Sequence, residues 1–355
     1  MLFADSKEKF LTGNEAVFEA ALYAGAKIMC GYPITPATEV LENWAKNSSK
    51  PNAKTILVQS EDETSAGFNV IGAILSGTKA FTATAGIGNV LLQDPLSMAE
   101  AMRFPFVAII MQRGGPSTGT VIYSQQEVNL SCYGGNGESL RIVYSTSGPQ
   151  ELYDYTIKAF NTAWTYWFPV IVLGDGYQSK MKAKVKLNRP HVVKAKPILT
   201  PGKITNIRNC YNFENELAKE LKKNIEDWNK ISRKITEFEE YQCSDAEIII
   251  FAHGIVGASA KKAVDILRKK YNKKVGLFRP ITLRPFPKDS ASRLAAKASR
   301  VLITESSEGQ FSRIVKDNLY GLTKISYLFK PVVEINSEEI IEKISSFHND
   351  FWLEH

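Results

Sequence analysis

Residues 59–77, QSEDETSAGFNVIGAILSG, decide how this chain is read. The stretch opens on Glu61-Asp62-Glu63 and continues through small and apolar residues at helical spacing. Ala66, Gly67, Val70, Ala73, Ile74 and Gly77 share one helical face, and small residues on a buried face let another backbone come close. Glu63 falls in the first turn, at the edge of that face. Spacing alone gives it a structural job. Ser60 stands three residues earlier, as in a Ser-x-x-Glu capping box, and acids in a first turn suit the helix dipole.

The residues downstream add a second role. A strand-like run, KAFTATAG, ends in Thr84-Ala85-Gly86-Ile87-Gly88-Asn89. Together with Glu63, Gly72-Ala73 and Gly77, this order resembles the pyrimidine-binding domain of thiamine diphosphate enzymes. In that domain a helix-initiating glutamate touches the aminopyrimidine, and a Gly-x-Gly turn follows the next strand. The resemblance makes Thr84, Gly86 and Gly88 cofactor-binding candidates beside Glu63.

The chain-wide numbers set the frame. A chain of 355 residues suits two or three domains, and 44% hydrophobic with 23% charged residues is ordinary for an α/β protein. No apolar run is long enough to span a bilayer, and the first residues lack the basic start and apolar core of a signal peptide, so a cytoplasmic location is expected. Cys30, Cys132, Cys210 and Cys243 are scattered without a Cys-x-x-Cys, and the four histidines are dispersed, so no metal or iron–sulfur ligand set is expected in this chain. The net charge is +7, with lysines concentrated at 180–196. Without a nucleic-acid module this reads as a solvated basic surface, or as one that docks an acidic protein or steers an anionic substrate.

Two further loops stand out. Gly31-Tyr32-Pro33-Ile34-Thr35-Pro36 follows a short strand, and its prolines fix an extended loop at the strand's C-terminal edge, where α/β proteins bind ligands. Thr35 is therefore a ligand contact or the N-cap of the helix expected from Ala37. The buried strand 106–112 runs into Gln112-Arg113-Gly114-Gly115-Pro116-Ser117-Thr118-Gly119. The Arg113 guanidinium can grip a carboxylate through two hydrogen bonds; the alternative is a surface arginine on a turn.

Strand, loop and helix alternate through the first 175 residues, which predicts a doubly wound, mainly parallel sheet over residues 1–178. Gly174-Asp175-Gly176 is reminiscent of the Mg-diphosphate motif of thiamine enzymes, but the following segment is Lys/Pro-rich and lacks the expected helix, so it reads as a plain turn. Residues 179–244 read as a basic linker and a charged helix from Glu214 to Tyr241. A smaller α/β domain is expected over 245–341 and a tail over 342–355. His253, after a strand, is an acid–base candidate or a buried, capping histidine.

Taken together, Gly13-Asn14-Glu15-Ala16, Tyr32-Pro33-Ile34-Thr35-Pro36, Glu61-Asp62-Glu63, the Arg113 loop, Phe278-Arg279-Pro280-Ile281-Thr282 and Glu305 with Gly309-Gln310 resemble the alpha subunit of 2-oxoacid:ferredoxin oxidoreductases. The resemblance covers about residues 12–178 and 245–310. It implies a thiamine diphosphate pyrimidine domain and a transketolase-C-terminal-like domain. It also implies a beta subunit that carries the diphosphate site, Mg²⁺ and a [4Fe–4S] cluster, in a heterodimer or a dimer of heterodimers. Coenzyme A, a 2-oxoacid and ferredoxin are the implied reaction partners. Glu63 would hydrogen-bond the aminopyrimidine as the catalytic acid–base group, while Thr35 and Arg113 would contact the substrate carboxylate. The Arg-loop is nearest to 2-oxoglutarate members; a branched-chain 2-oxoacid or pyruvate is the alternative substrate. The family's Thr-Ser-Gly-Pro-Gly is Thr84-Ala85-Gly86-Ile87-Gly88 here, and its Gln-Gln-Asp is Gln125-Gln126-Glu127. These departures leave room for a non-catalytic scaffold, or for half of a non-oxidative thiamine transferase.

Overall fold

The computed structural model describes residues 7–347. Its strands are β1 (Glu8–Thr12), β2 (Ile28–Gly31), β3 (Ile56–Gln59), β4 (Ala80–Thr84), β5 (Val107–Gln112), β6 (Ile142–Ser145) and β7 (Val170–Asp175), then β8 (Lys182–Lys186), β9 (Phe238–Tyr241), β10 (Ile248–Phe251), β11 (Val275–Pro280), β12 (Thr282–Arg284), β13 (Arg300–Glu305) and β14 (Lys324–Phe329).

The first sheet has the order β12-β6-β7-β5-β4-β2-β3. From β6 to β3 its pairings are parallel. Strands buried on both faces read as continuous apolar runs, and β5 and β7 are buried at every position. Alternate residues serve opposite layers. Ala108, Ile110, Ile171 and Leu173 pack with Val70 and Ile74 of the Glu63–Leu75 helix. Val107, Ile109, Val170 and Val172 pack with Val17, Trp44 and Phe160 from helices on the other face. The expected doubly wound sheet is present.

The second sheet has the order β14-β13-β10-β11-β9, with β9 antiparallel to β11. The helix after β10 begins at Gly254. The charged helix spans Glu214–Ile235 and stops short of Tyr241, because Thr236 leaves the helical backbone and β9 follows. Helix Ser337–Ser346 runs into the stretch read as a tail, where Ile344 and Phe347 are buried in the second core; residues 348–355 of that stretch lie outside the described residues.

Two pairings depart from the expected layout. Lys182–Lys186, read as linker, is a strand that pairs antiparallel with β1 and buries Val185 while Lys182, Lys184 and Lys186 face outward. Beyond it the chain straps the sheet's underside. Val193 N donates to Asn161 Oδ1 at 2.9 Å, and Leu199 N donates to Leu75 O at 2.9 Å. The second departure is β12. Directly after β11 in the second sheet, the chain crosses to pair antiparallel with β6 of the first.

Candidate active site

Glu63 opens its helix, but it does not cap it. The N-cap is Asp62, whose Oδ1 accepts from Ser65 N at 2.7 Å. The expected Ser60 capping box is therefore absent: Ser60 Oγ instead accepts from Asn69 Nδ2 at 3.2 Å. An aspartate directly before the first turn satisfies the free N–H groups, and Glu63 is left for other work. Its side chain is only 3% exposed. Burial pushes the carboxyl above its usual range; the Thr84 hydroxyl, which donates to Oε1 at 3.0 Å, and the nearby Arg113 charge oppose that rise.

The turn after β4 brings its glycines against this pair. Gly86 takes φ +56°, a left-handed backbone that glycine adopts readily. At Gly88 a Cβ would run into both Thr84 Oγ1 and Glu63 Oε1, and at Gly86 it would run into Arg113 Nε. Glycine at 88 keeps the approach to the carboxylate open.

Arg113 directly follows β5 and is 5% exposed, so it is no surface arginine. Its Nη1 donates to the backbone oxygen of Thr35 at 2.9 Å, while its buried Nε has no partner. Thr35 itself is exposed and is not an N-cap; Ala37 precedes the Thr38–Ser48 helix and offers no capping side chain. Glu63, Thr84, Gly86, Gly88, Arg113 and Thr35 thus gather at the C-terminal edges of β2, β4 and β5. The spacing of the sequence missed Glu127, at the far end of the Arg113 loop. Its Oε1 accepts from Gly86 N and Arg113 N, each at 2.9 Å, and its Oε2 from Asn89 Nδ2 at 3.0 Å.

Other candidates have structural duties. Asp175 caps the short Gly176–Lys180 helix, its Oδ1 accepting from Gln178 N at 2.9 Å; Gly174 and Asp175 still belong to β7, so the segment is a strand end and a cap rather than a plain turn. Burial raises the Asp175 carboxyl to about 6. His253 is fully buried, with Nδ1 2.9 Å from Ser145 Oγ, and burial pushes it down to about 3, which leaves it neutral. Glu305 accepts from Phe311 N and Ser312 N at 2.8 and 2.7 Å, capping the helix that follows. Gln310 then holds the site's own loop: its Nε2 donates to Gln126 O and its Oε1 accepts from Asn129 N. Among the described residues no group of three His, Cys, Asp or Glu side chains stands together as a metal site.

A buried carboxylate with an open approach suits a ring nitrogen that shares a proton, and an unsatisfied guanidinium N–H beside it suits an anion. The aminopyrimidine of thiamine diphosphate and a 2-oxoacid carboxylate have these features.

Comparison with known proteins agrees with that chemistry. A family model described as pyruvate flavodoxin/ferredoxin oxidoreductase, thiamine diphosphate-binding, matches residues 19–243, and one described as pyruvate:ferredoxin oxidoreductase core domain II matches 246–339. The KorA subunit of 2-oxoglutarate synthase from Methanocaldococcus jannaschii is 33% identical over 335 residues, covering 86% of this chain and 90% of that protein. The ketoisovalerate oxidoreductase subunit VorB from Methanothermobacter marburgensis is 32% identical over 317 residues, covering 87% and 89%. Among solved structures, 2-oxoglutarate:ferredoxin oxidoreductase from Magnetococcus marinus, with 2-oxoglutarate, coenzyme A and succinyl-CoA bound, superposes with a TM-score of 0.86 at 25% identity. The match covers 96% of this chain, which spans 65% of the length of that one.

Proposed function

This chain belongs to the pyruvate flavodoxin/ferredoxin oxidoreductase family, and we propose that it is the alpha subunit of a CoA-acylating 2-oxoacid:ferredoxin oxidoreductase, with 2-oxoglutarate as the favoured acid. The observation that carries this reading is the pairing of buried Glu63, bonded to Thr84, with buried Arg113 at the end of the neighbouring strand.

When bound, thiamine diphosphate supplies the carbon nucleophile that adds to the 2-oxo carbon and the electron sink that permits loss of CO₂. Glu63 holds the aminopyrimidine by a hydrogen bond to its ring nitrogen, and its raised proton affinity lets that proton be shared. Thr84 fixes the carboxylate's orientation, and Gly86 and Gly88 leave room for the ring. Arg113 orients the substrate carboxylate with its guanidinium, and Thr35 lies beside it in the loop whose carbonyl already holds Nη1. This chain would supply the pyrimidine half of the site; a beta subunit would supply the diphosphate and Mg²⁺ half and the [4Fe–4S] cluster, and ferredoxin would take the electrons. Phe68, Ile87, Val90 and Leu91 are exposed apolar side chains on the segments that frame Glu63, as a subunit interface there requires. A heterodimer or a dimer of heterodimers, in the cytoplasm, completes the proposal; no helix among the described residues is long and apolar enough to cross a membrane.

The test is CoA-dependent viologen reduction without oxygen, by the chain alone and co-purified with its beta subunit. The acids compared are 2-oxoglutarate, pyruvate and 2-oxoisovalerate. Activity only in the complex, greatest with 2-oxoglutarate, is expected. The ketoisovalerate relative's comparable identity supports a branched-chain acid as the second reading, and preference for 2-oxoisovalerate would select it. A complex loaded with cofactor and iron yet inactive on all three acids would overturn the proposal.

A further inference from the structure

Two segments distant in sequence, the turn at Gly86–Asn89 and the end of the strand at Arg113, converge on the Glu127 carboxylate, which is 5% exposed. Every donor to it is a fixed N–H: two backbone groups, Gly86 and Arg113, and the Asn89 amide. Asn89 cannot turn its amide around without loss, since its Oδ1 accepts from Gln93 Nε2 at 3.0 Å and its Nδ2 also reaches Ser131 Oγ at 3.2 Å. Such a shell suits the ionised carboxylate. Burial holds the proton affinity of Glu127 above that of an ordinary carboxylate, and these donors and the Arg113 charge oppose that rise. Gly86 lies between the two charged groups, its N–H on Glu127 and its missing Cβ facing Arg113 Nε.

We infer that Glu127 is the resident counter-charge of Arg113, a positioning residue that balances the guanidinium whenever no substrate carboxylate is beside it. This rests on the substrate-binding role proposed for Arg113. A buried cation without a partner is strongly disfavoured. Turnover passes through two such states, before the acid binds and after CO₂ leaves. In decarboxylation the bond between the carboxyl and former oxo carbons breaks. Its electron pair stays on the former oxo carbon, and CO₂ departs neutral, so the guanidinium loses its anion. An arginine balanced by the substrate alone would resist that loss. With Glu127 in place, ground-state binding is weaker and the departure is less opposed, a difference that favours kcat over tight binding.

The test uses Glu127→Gln in the complete complex. Glutamine keeps an acceptor oxygen for Gly86 and Arg113 and removes the charge. KM and kcat for the 2-oxoacid should both fall, kcat by about tenfold or more, and calorimetry should show oxalate, a dicarboxylate that is not turned over, binding about tenfold more tightly. A merely structural Glu127 predicts the reverse: KM rises and oxalate binds more weakly, which would overturn the inference. Arg113→Met separates the two levels. Oxalate binding indifferent to Arg113→Met removes the role of Arg113 and this inference with it. Binding that depends on Arg113 but is unchanged in Glu127→Gln overturns the counter-charge alone. If Glu127→Gln fails to assemble, calorimetry of the Glu63→Gln complex in two buffers of different ionisation enthalpy decides, since Glu63 can then take up no proton. A second anion beside Arg113 raises the proton affinity of Glu127, so oxalate binding should take up a fraction of a proton, and zero uptake would overturn the inference.

Discussion

The Thr84 hydroxyl meets the Glu63 carboxylate at 3.0 Å, joining the end of β4 to the first residue of the neighbouring helix. That bond is directional. Thr84 donates to the charged form of Glu63, while burial favours the neutral one. Thr84→Val removes the donor, so Glu63 should bind its proton more tightly still. The acid limb of the kcat/KM profile should move to higher pH, with the plateau above it little changed. An unmoved limb would show that Thr84 does not tune Glu63.

Glu63→Gln preserves size and most of the packing but cannot take up a proton. Turnover should fall by about 10²–10⁴. Because Asp62 rather than Glu63 caps the helix, the thermal midpoint and co-purification with the beta subunit should hold. Loss of assembly along with activity would assign Glu63 to structure.

Gly88→Ala asks whether the open approach to Glu63 matters. Alanine is the better helix former by roughly 1 kcal/mol, so helicity gives no reason for collapse. Its methyl group would displace both Thr84 and Glu63. A shift of that kind at a reacting group should lower kcat on the order of a hundredfold, with retained far-ultraviolet circular dichroism.

Arg113→Lys keeps the charge and loses the fork. The ammonium cannot serve the Thr35 carbonyl and a substrate carboxylate with the same geometry. KM for the 2-oxoacid should rise by about 10- to 100-fold while KM for coenzyme A stays near its wild-type value. Equal rises for both would point to a general distortion of the loop.

Asp175 gives a stability signature separate from catalysis. Its folded-state value of about 6 lies above the ordinary 3.8, so the native state holds its proton more tightly than the unfolded chain. The stability this contributes is full below the unfolded value and is lost as pH rises through about 6. Wild type should lose about 3 kcal/mol across that window relative to Asp175→Asn. Guanidinium unfolding of both proteins at pH 4 and pH 8 gives the difference of differences.

The parallel sheet was legible because its strands are buried on both faces and must be apolar throughout, as in VAIIMQ of β5. Pieces set by pairing rather than pattern were not. Lysines at 182, 184 and 186 made β8 resemble a solvated linker, although their alternation is what leaves Val185 inward. β9 and β12 are short, and only their partners β11 and β6 define them. At the site, the order Glu63, Thr84, Gly86, Gly88 and Arg113 was visible along the chain. Ser60 and Asp62 are both competent caps by type, and geometry chose the aspartate. Glu127 escaped because nothing local marks a carboxylate whose donors sit on other loops; its one trace was an acid following Gln125-Gln126.

The crossing of β12 has a consequence for the order in which the molecule is made. A ribosome releases β6 long before it releases Thr282–Arg284, and β9, β10 and β11 emerge in between. Until then the first sheet has an unpaired margin at β6, the kind of edge on which nascent chains pair with one another. The two halves therefore cannot be finished in succession. The edge of the earlier sheet is sealed by a strand that arrives only after part of the later sheet has been synthesised, so maturation of the first half waits on the half that follows it.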